Sequence, residues 1–134
     1  MTPPFGLLYV LVVSRGHAQP GRYQSPELLD MKATKALLKD FEGFFEKDGR
    51  HHIWVASKSG EEMLIYDRHN VIYAYGPRQV WGRTLDALGF KEVPMIRYPS
   101  PHSHHYHEGL DAEEARLMAH WDWYRTPLAV TDEE

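Results

Sequence analysis

Apolar residues run without alternation from Phe5 to Val13, a short stretch rich in Leu, Val and Tyr. That pattern predicts a strand covered on both faces. Ser14 to Ser25 breaks it with Gly16, Pro20 and Gly21, which predicts a loop or hinge over 14–25. Ser25-Pro26-Glu27 then has the chemistry of a helix start, with Ser25 able to cap and Pro26 suited to the first turn. Leu28, Met31, Leu37, Leu38, Phe41, Phe44 and Phe45 recur at helical spacing, so one apolar stripe is expected along a helix of about 20 residues that ends at Asp48-Gly49.

The period then switches from helical to alternating. His52–Ser57 places Ile53 and Val55 on one face and His52, Trp54 and Ala56 on the other. Lys58-Ser59-Gly60-Glu61 is a turn, Met63–Tyr66 a second strand, Asp67-Arg68-His69-Asn70 another turn and Val71–Tyr75 a third strand. Connections this short join antiparallel neighbours, so these runs form a meander.

Gly76-Pro77 opens a second helix with Val80, Trp81, Thr84, Leu85 and Leu88 on its inner face and Gly89 at its end. Phe90–Val93 and Met95–Tyr98 predict a further strand at a sheet edge, because Pro94 interrupts it. Residues 99–110 make a His-rich loop. Asp111 and Glu114 have the spacing of a capping pair, and a third helix is expected from there to about Tyr124, with Leu117, Met118 and Trp121 buried. Residues 128–134 are an acidic tail. The expected fold is α+β: a small antiparallel sheet, built from the meander with N-terminal and later edge strands, and helices packed mainly on one face, all in one domain over 1–134.

Composition narrows the partners. The chain has 134 residues, 43% of them apolar and 25% charged, which is the size and balance of one ordinary globular domain. It has no cysteine, which excludes disulfides and thiolate metal sites and fits a reducing, cytoplasmic setting. A net charge of −4, with no Lys/Arg block, argues against nucleic acid, whose phosphates call for basic surfaces. The longest apolar run is too short for a membrane span, which needs about 20 residues. Residues 1–20 can also be read as a targeting segment, but no Lys or Arg precedes the apolar run, and a buried strand is the preferred reading.

His102, His104, His105 and His107 lie within six residues. Neutral imidazole suits borderline ions, so zinc or nickel is the candidate cofactor here. On an extended segment His102 and His104 point one way, and His105 and His107 the other. His120 is a possible further ligand. Against this stands the ordinary behaviour of histidines in a Pro/Ser loop, which are solvated and bind metal only adventitiously. His51, His52 and His69 are explained without function, the first two as buried ring groups and the last by its turn. Asp67 with His69 is a weak acid/base pairing. Adjacent acids such as Glu61-Glu62 and Glu113-Glu114 do not face one another. Nucleophile, phosphate-loop and dinucleotide motifs are absent, so no catalytic residue is assigned.

Aromatic residues are the other notable group. Trp54, Tyr73 and Tyr75 form a contact surface if they share an uncovered sheet face, and core if the helices cover them. Trp121, Trp123 and Tyr124 fall within four residues, which no helix buries on one side. These six are the candidate interface. Asp67–Pro77 resembles a hairpin of small bacterial proteins, and the chain as a whole is similar in build to toxin-neutralising immunity proteins. The absent catalytic motifs, the acidic charge and the surplus aromatics lead to the expectation of a non-enzymatic protein-protein interaction module of immunity or adaptor type, binding a protein partner or another copy of itself. The alternative is a metal-binding protein or metal-dependent enzyme using the His102–His107 cluster.

Overall fold

The computed structural model describes residues 1–96 and 100–133. Arg97 and Tyr98 of the expected edge strand, Pro99 of the His-rich loop and Glu134 of the tail lie outside the described residues. Among the described residues the fold is one six-stranded antiparallel sheet with four α-helices. In chain order these are β1 (Phe5–Leu11), β2 (Gly21–Gln24), α1 (Met31–Asp40), α2 (Glu42–Lys47), β3 (His51–Ser57), β4 (Met63–Tyr66), β5 (Ile72–Tyr75), α3 (Arg78–Ala87), α4 (Asp111–Met118) and β6 (Tyr124–Thr126). The strands lie in the order β5-β4-β3-β1-β2-β6. No helix among the described residues is long and apolar enough to cross a membrane.

The apolar run at the N-terminus is the sheet's central strand. Phe5, Leu7, Tyr9 and Leu11 face the core, where they meet Ile53 and Val55 of β3, Leu37 of α1, Phe41, Phe44 and Phe45 around α2, and Leu117 of α4. The meander is as its alternation predicts, with Trp54 opposite Ile65 and Ile65 opposite Tyr73.

Five boundaries differ from expectation. Residues 14–25 are not all loop, because Gly21–Gln24 forms β2 and pairs with both β1 and β6. Gly21 admits the close approach of β6: a Cβ there would lie 2.8 Å from Arg125 Nε and 2.9 Å from the Thr126 carbonyl oxygen. The first helix starts not at Ser25 but at Asp30, whose carboxylate caps Ala33 N–H at 2.7 Å. Ser25 instead uses its hydroxyl on the sheet, accepting from Leu7 N–H at 3.2 Å.

The long helix is broken at Phe41 into α1 and α2. Arg116 takes up the Asp40 carbonyl oxygen at 3.1 Å, and its guanidinium lies 3.9 Å from the Phe41 ring centre. The break lets Phe41, Phe44 and Phe45 all point inward. Residues 90–96 form no strand; the far edge strand is Tyr124–Thr126. The last helix accordingly ends at Met118, where Trp123 Nε1 donates to the Leu117 carbonyl at 3.0 Å and the chain turns into β6.

A charge cluster ties this frame to the His-rich segment. Arg50 is fully buried and binds Asp48 through Nε at 2.7 Å and Nη2 at 2.8 Å, and Glu114 through Nη1 at 2.8 Å. Its Nη2 also donates to the His107 carbonyl at 3.1 Å. Asp48 in turn accepts from His107 N–H at 2.8 Å, and Gly49 N–H donates to the His105 carbonyl at 2.9 Å. Residues 105–107 are therefore stitched to the entry of β3.

Candidate metal centre

Two separate pieces of chain supply the site. The first is the β4–β5 turn. Asp67 Oδ1 accepts from the backbone N–H of His69 at 2.9 Å and of Val71 at 3.1 Å, a side-chain turn that aspartate forms well. Asn70 takes the left-handed conformation, φ 59°, which asparagine tolerates. The other carboxylate oxygen, Asp67 Oδ2, lies 3.0 Å from His69 Nδ1. A carboxylate only accepts, so Nδ1 carries a proton, and in the neutral ring the Nε2 lone pair is left for a ligand.

The second piece is the His-rich segment, anchored at 105–107 as described. It passes so close to β3 that a Cβ at Gly49 would lie 3.2 Å from His104 Cβ. Extended backbone sends His102 and His104 to the same side. They meet His69 there: the three ring centres are 4.9 to 5.3 Å apart. One nitrogen from each ring lies within 4.8 Å of the other two. Zinc–nitrogen bonds of about 2.0–2.1 Å in tetrahedral geometry would bring such nitrogens to about 3.4 Å. Small rotations of these part-exposed rings span the difference.

Electrostatics prepare one of the three rings for a cation and also oppose it. Burial, then the charges of Arg68, His69 and His102, hold the His104 imidazole below its ordinary value, so it is neutral near pH 7. Arg68 Nε donates to His104 Nδ1 at 3.4 Å and Arg68 Nη2 to Tyr106 Oη at 3.1 Å. A metal at Nδ1 displaces that contact, and a metal at Nε2 forces the proton onto Nδ1 and ends it. Either way Arg68 has to let go.

His69 and His102 line an open cleft of about 670 Å³ together with Trp54, Ile65, Tyr73 and Tyr75. That volume is typical of ligand sites. His52 also borders the cleft, but both its nitrogens are committed: Nδ1 accepts from Arg68 N–H at 3.3 Å, so Nε2 donates to the Asp132 carbonyl at 3.0 Å. Burial holds it below its ordinary value. No protein-family model, curated protein or solved structure matches this chain. The geometry alone carries the functional argument.

Of the four histidines singled out in the loop, the cluster includes His102 and His104. His105 Nε2 lies 3.2 Å from Ser103 Oγ, and the backbones of His105 and His107 form the anchor to residues 48–50. His120 meets the rings of Phe41 and Trp121 edge-on, away from the cluster. The third member, His69, is one that sequence reasoning gave to its turn; the signal for it was the Asp-x-His spacing of residues 67–69. Trp54, Tyr73 and Tyr75 share the sheet face away from the core helices, and all three line the cleft. Trp121 and Trp123 pack against the core with rings 4.9 Å apart, and Tyr124 is 68% exposed on β6.

Proposed function

We propose that this chain binds a borderline divalent metal ion, zinc or nickel by ligand type, through His69, His102 and His104. The observation that supports it is the convergence of three imidazole nitrogens with one ring already oriented by a nearly buried carboxylate. Three neutral imidazoles leave the ion its double charge and an open coordination position, the donor set of catalytic rather than structural zinc sites. With His69 and His102 lining the cleft, the fitting reaction class is hydrolysis by metal-bound water, whose pKa such an ion would lower to about 7. His69, His102 and His104 would hold the ion, Asp67 would orient His69, and the aromatic wall would receive an apolar part of the substrate.

The test is metal analysis of untagged protein, with thermal melts before and after adding zinc. Stoichiometric metal and a zinc-raised Tm, lost in H69A and H102A, are expected, because a ligand that binds only the folded state stabilises it. Protein that carries no metal and melts unchanged with zinc excludes the reading.

A second reading, as a protein-protein interaction module, has its own support. Large apolar side chains stand exposed along one stretch of chain, Ile72, Val80, Leu88, Phe90 and Met95 among them, and α3 buries none of its residues. A contiguous exposed apolar stretch of this kind marks a contact surface.

A further inference from the structure

We propose that β5 and α3 form a two-fold interface with a second copy of this chain, each α3 lying in a groove of its partner. The inference deepens the interaction reading and is independent of the metal centre. Among the described residues β5 is an edge strand, paired only with β4, so one row of its backbone N–H and C=O groups has no strand beside it. Ile72 on that edge is 64% exposed. Directly after it, α3 and its C-cap residue present Val80, Thr84 and Leu88 at i, i+4 and i+8, with Leu88 69% exposed. A 10-residue helix that buries nothing is marginal by itself and gains stability by docking its apolar stripe.

The docking site has the opposite charge. On the helical side of the sheet lies a groove of about 490 Å³ with Leu38, Val55, Leu64 and Ile72 in its wall and Glu42 and Glu46, one turn apart on α2, in its lining. The apolar stripe of α3 is flanked at helical spacing by Arg78 and Arg83. Helix and groove both border the edge strand: Ile72 lines the groove, and Ile72 and Ala74 share a second cavity with Arg78, Arg83 and Leu85 of α3. Antiparallel pairing of β5 with its own copy carries each helix toward the other's groove, a self-complementary contact that closes at two copies. Arg78 already pairs with Glu92, and Glu42 with Lys39, but these side chains are largely exposed and exchanging partners costs little. Among the described residues Arg83 and Glu46 have no ion-pair partner.

The experiment is light scattering behind size exclusion on the untagged, metal-stripped chain over a dilution series. Wild type is expected at twice the 15.6 kDa chain mass. L88D, at an exposed site, is expected to be monomeric with an unchanged circular dichroism spectrum. R83E and E46R should each weaken the dimer about tenfold, and the R83E/E46R double variant should recover it. A dimer indifferent to all three changes, or one the double variant fails to restore, overturns the proposal. A wild-type monomer overturns it too, and the dye 1-anilinonaphthalene-8-sulfonate then separates the causes. Dye binding that L88D removes leaves the apolar surface open to a partner of another kind, whereas no dye binding removes the interaction reading as well.

Discussion

Asp67 Oδ2 and His69 Nδ1 stand 3.0 Å apart across a turn that the same aspartate holds closed through its other oxygen. One side chain thus fixes a backbone conformation and a ring tautomer together. The turn sets where His69 sits, and the tautomer sets which nitrogen faces a ligand. Carboxylate–histidine pairs of this kind tune metal sites from behind the ligand.

Asp67→Asn separates the two roles. The asparagine carbonyl still accepts from the backbone N–H groups of His69 and Val71, so the turn is kept. Its amide donates where the carboxylate accepted, which clashes with a protonated Nδ1. Zinc affinity is expected to fall about 10- to 100-fold with little change in the metal-free Tm. Competition titration against a chromophoric chelator measures it, and an unchanged affinity would show that the pair does not support a ligand.

Arg68 works in the other direction. A guanidinium roughly 6 Å from a divalent ion is repelled by about 1.4 kcal/mol even in a water-like dielectric. Removing it with Arg68→Gln, while leaving the three histidines, is expected to tighten zinc binding about tenfold. The same titration reads this change. Weaker binding in R68Q would mean that Arg68 supports the site rather than competing with its ion.

The meander was legible because alternation and turn chemistry are local: Ile53 and Val55 face one way, and Asp67 to Asn70 closes the hairpin. β2 and β6 were not, since Gly21–Gln24 and Tyr124–Thr126 are too short to show a period and become strands only through pairing, β2 with β1 and β6, and β6 with β2. At the break the freed Asp40 carbonyl and the Phe41 ring meet Arg116, which is remote in sequence. The site divides the same way. His102 and His104 announce themselves by density and alternation. His69 joins them only because Asp48, Gly49 and Arg50 clamp residues 105–107 beside β3, a long-range contact with no local signature. His51 and His52 are adjacent in sequence and both buried, yet His52 bonds through both ring nitrogens and His51 lies among Tyr9, Phe44 and Phe45.

The clamp itself is testable. Burial opposes charge on Asp48, yet the bonds from Arg50 and His107 outweigh it and hold the carboxyl below its ordinary range. Arg50→Met leaves Asp48 and Glu114 as buried carboxylates without their cation, a change that costs about 3–5 kcal/mol in comparable cases. Urea unfolding should show that loss. Arg50→Lys, which keeps the charge without the fork, should recover part of it. In R50K the loosened anchor at His107 should also weaken zinc binding. Zinc affinity equal to wild type in a destabilised R50K would disconnect the clamp from the site.

His51 makes the fold sensitive to mild acid. Its ring sits among Tyr9, Phe44 and Phe45, 4.6 Å from the centre of Phe44, and burial pushes it down to about 3, with the charge of Asp48 opposing. The unfolded chain takes up this proton near pH 6.5, whereas the folded chain refuses it until about pH 3. Between those values the unfolded state binds more protons, so stability is full above pH 6.5 and falls as the pH drops. From pH 7 to pH 5 the loss from this one group is about 2 kcal/mol. Unfolding of metal-free protein by urea at both pH values should show it, together with smaller contributions of the same sign from His52 and His104, which are also held neutral. His51→Leu suits the apolar cage and should flatten the dependence without abolishing it. Asp48 adds to the acid loss only below the ordinary carboxylate range, near pH 4, so the two groups separate along the pH axis. A wild-type stability that does not change between pH 7 and pH 5 would show that His51 finds a proton-accepting environment in the folded chain, and the aromatic cage would then have to open to water.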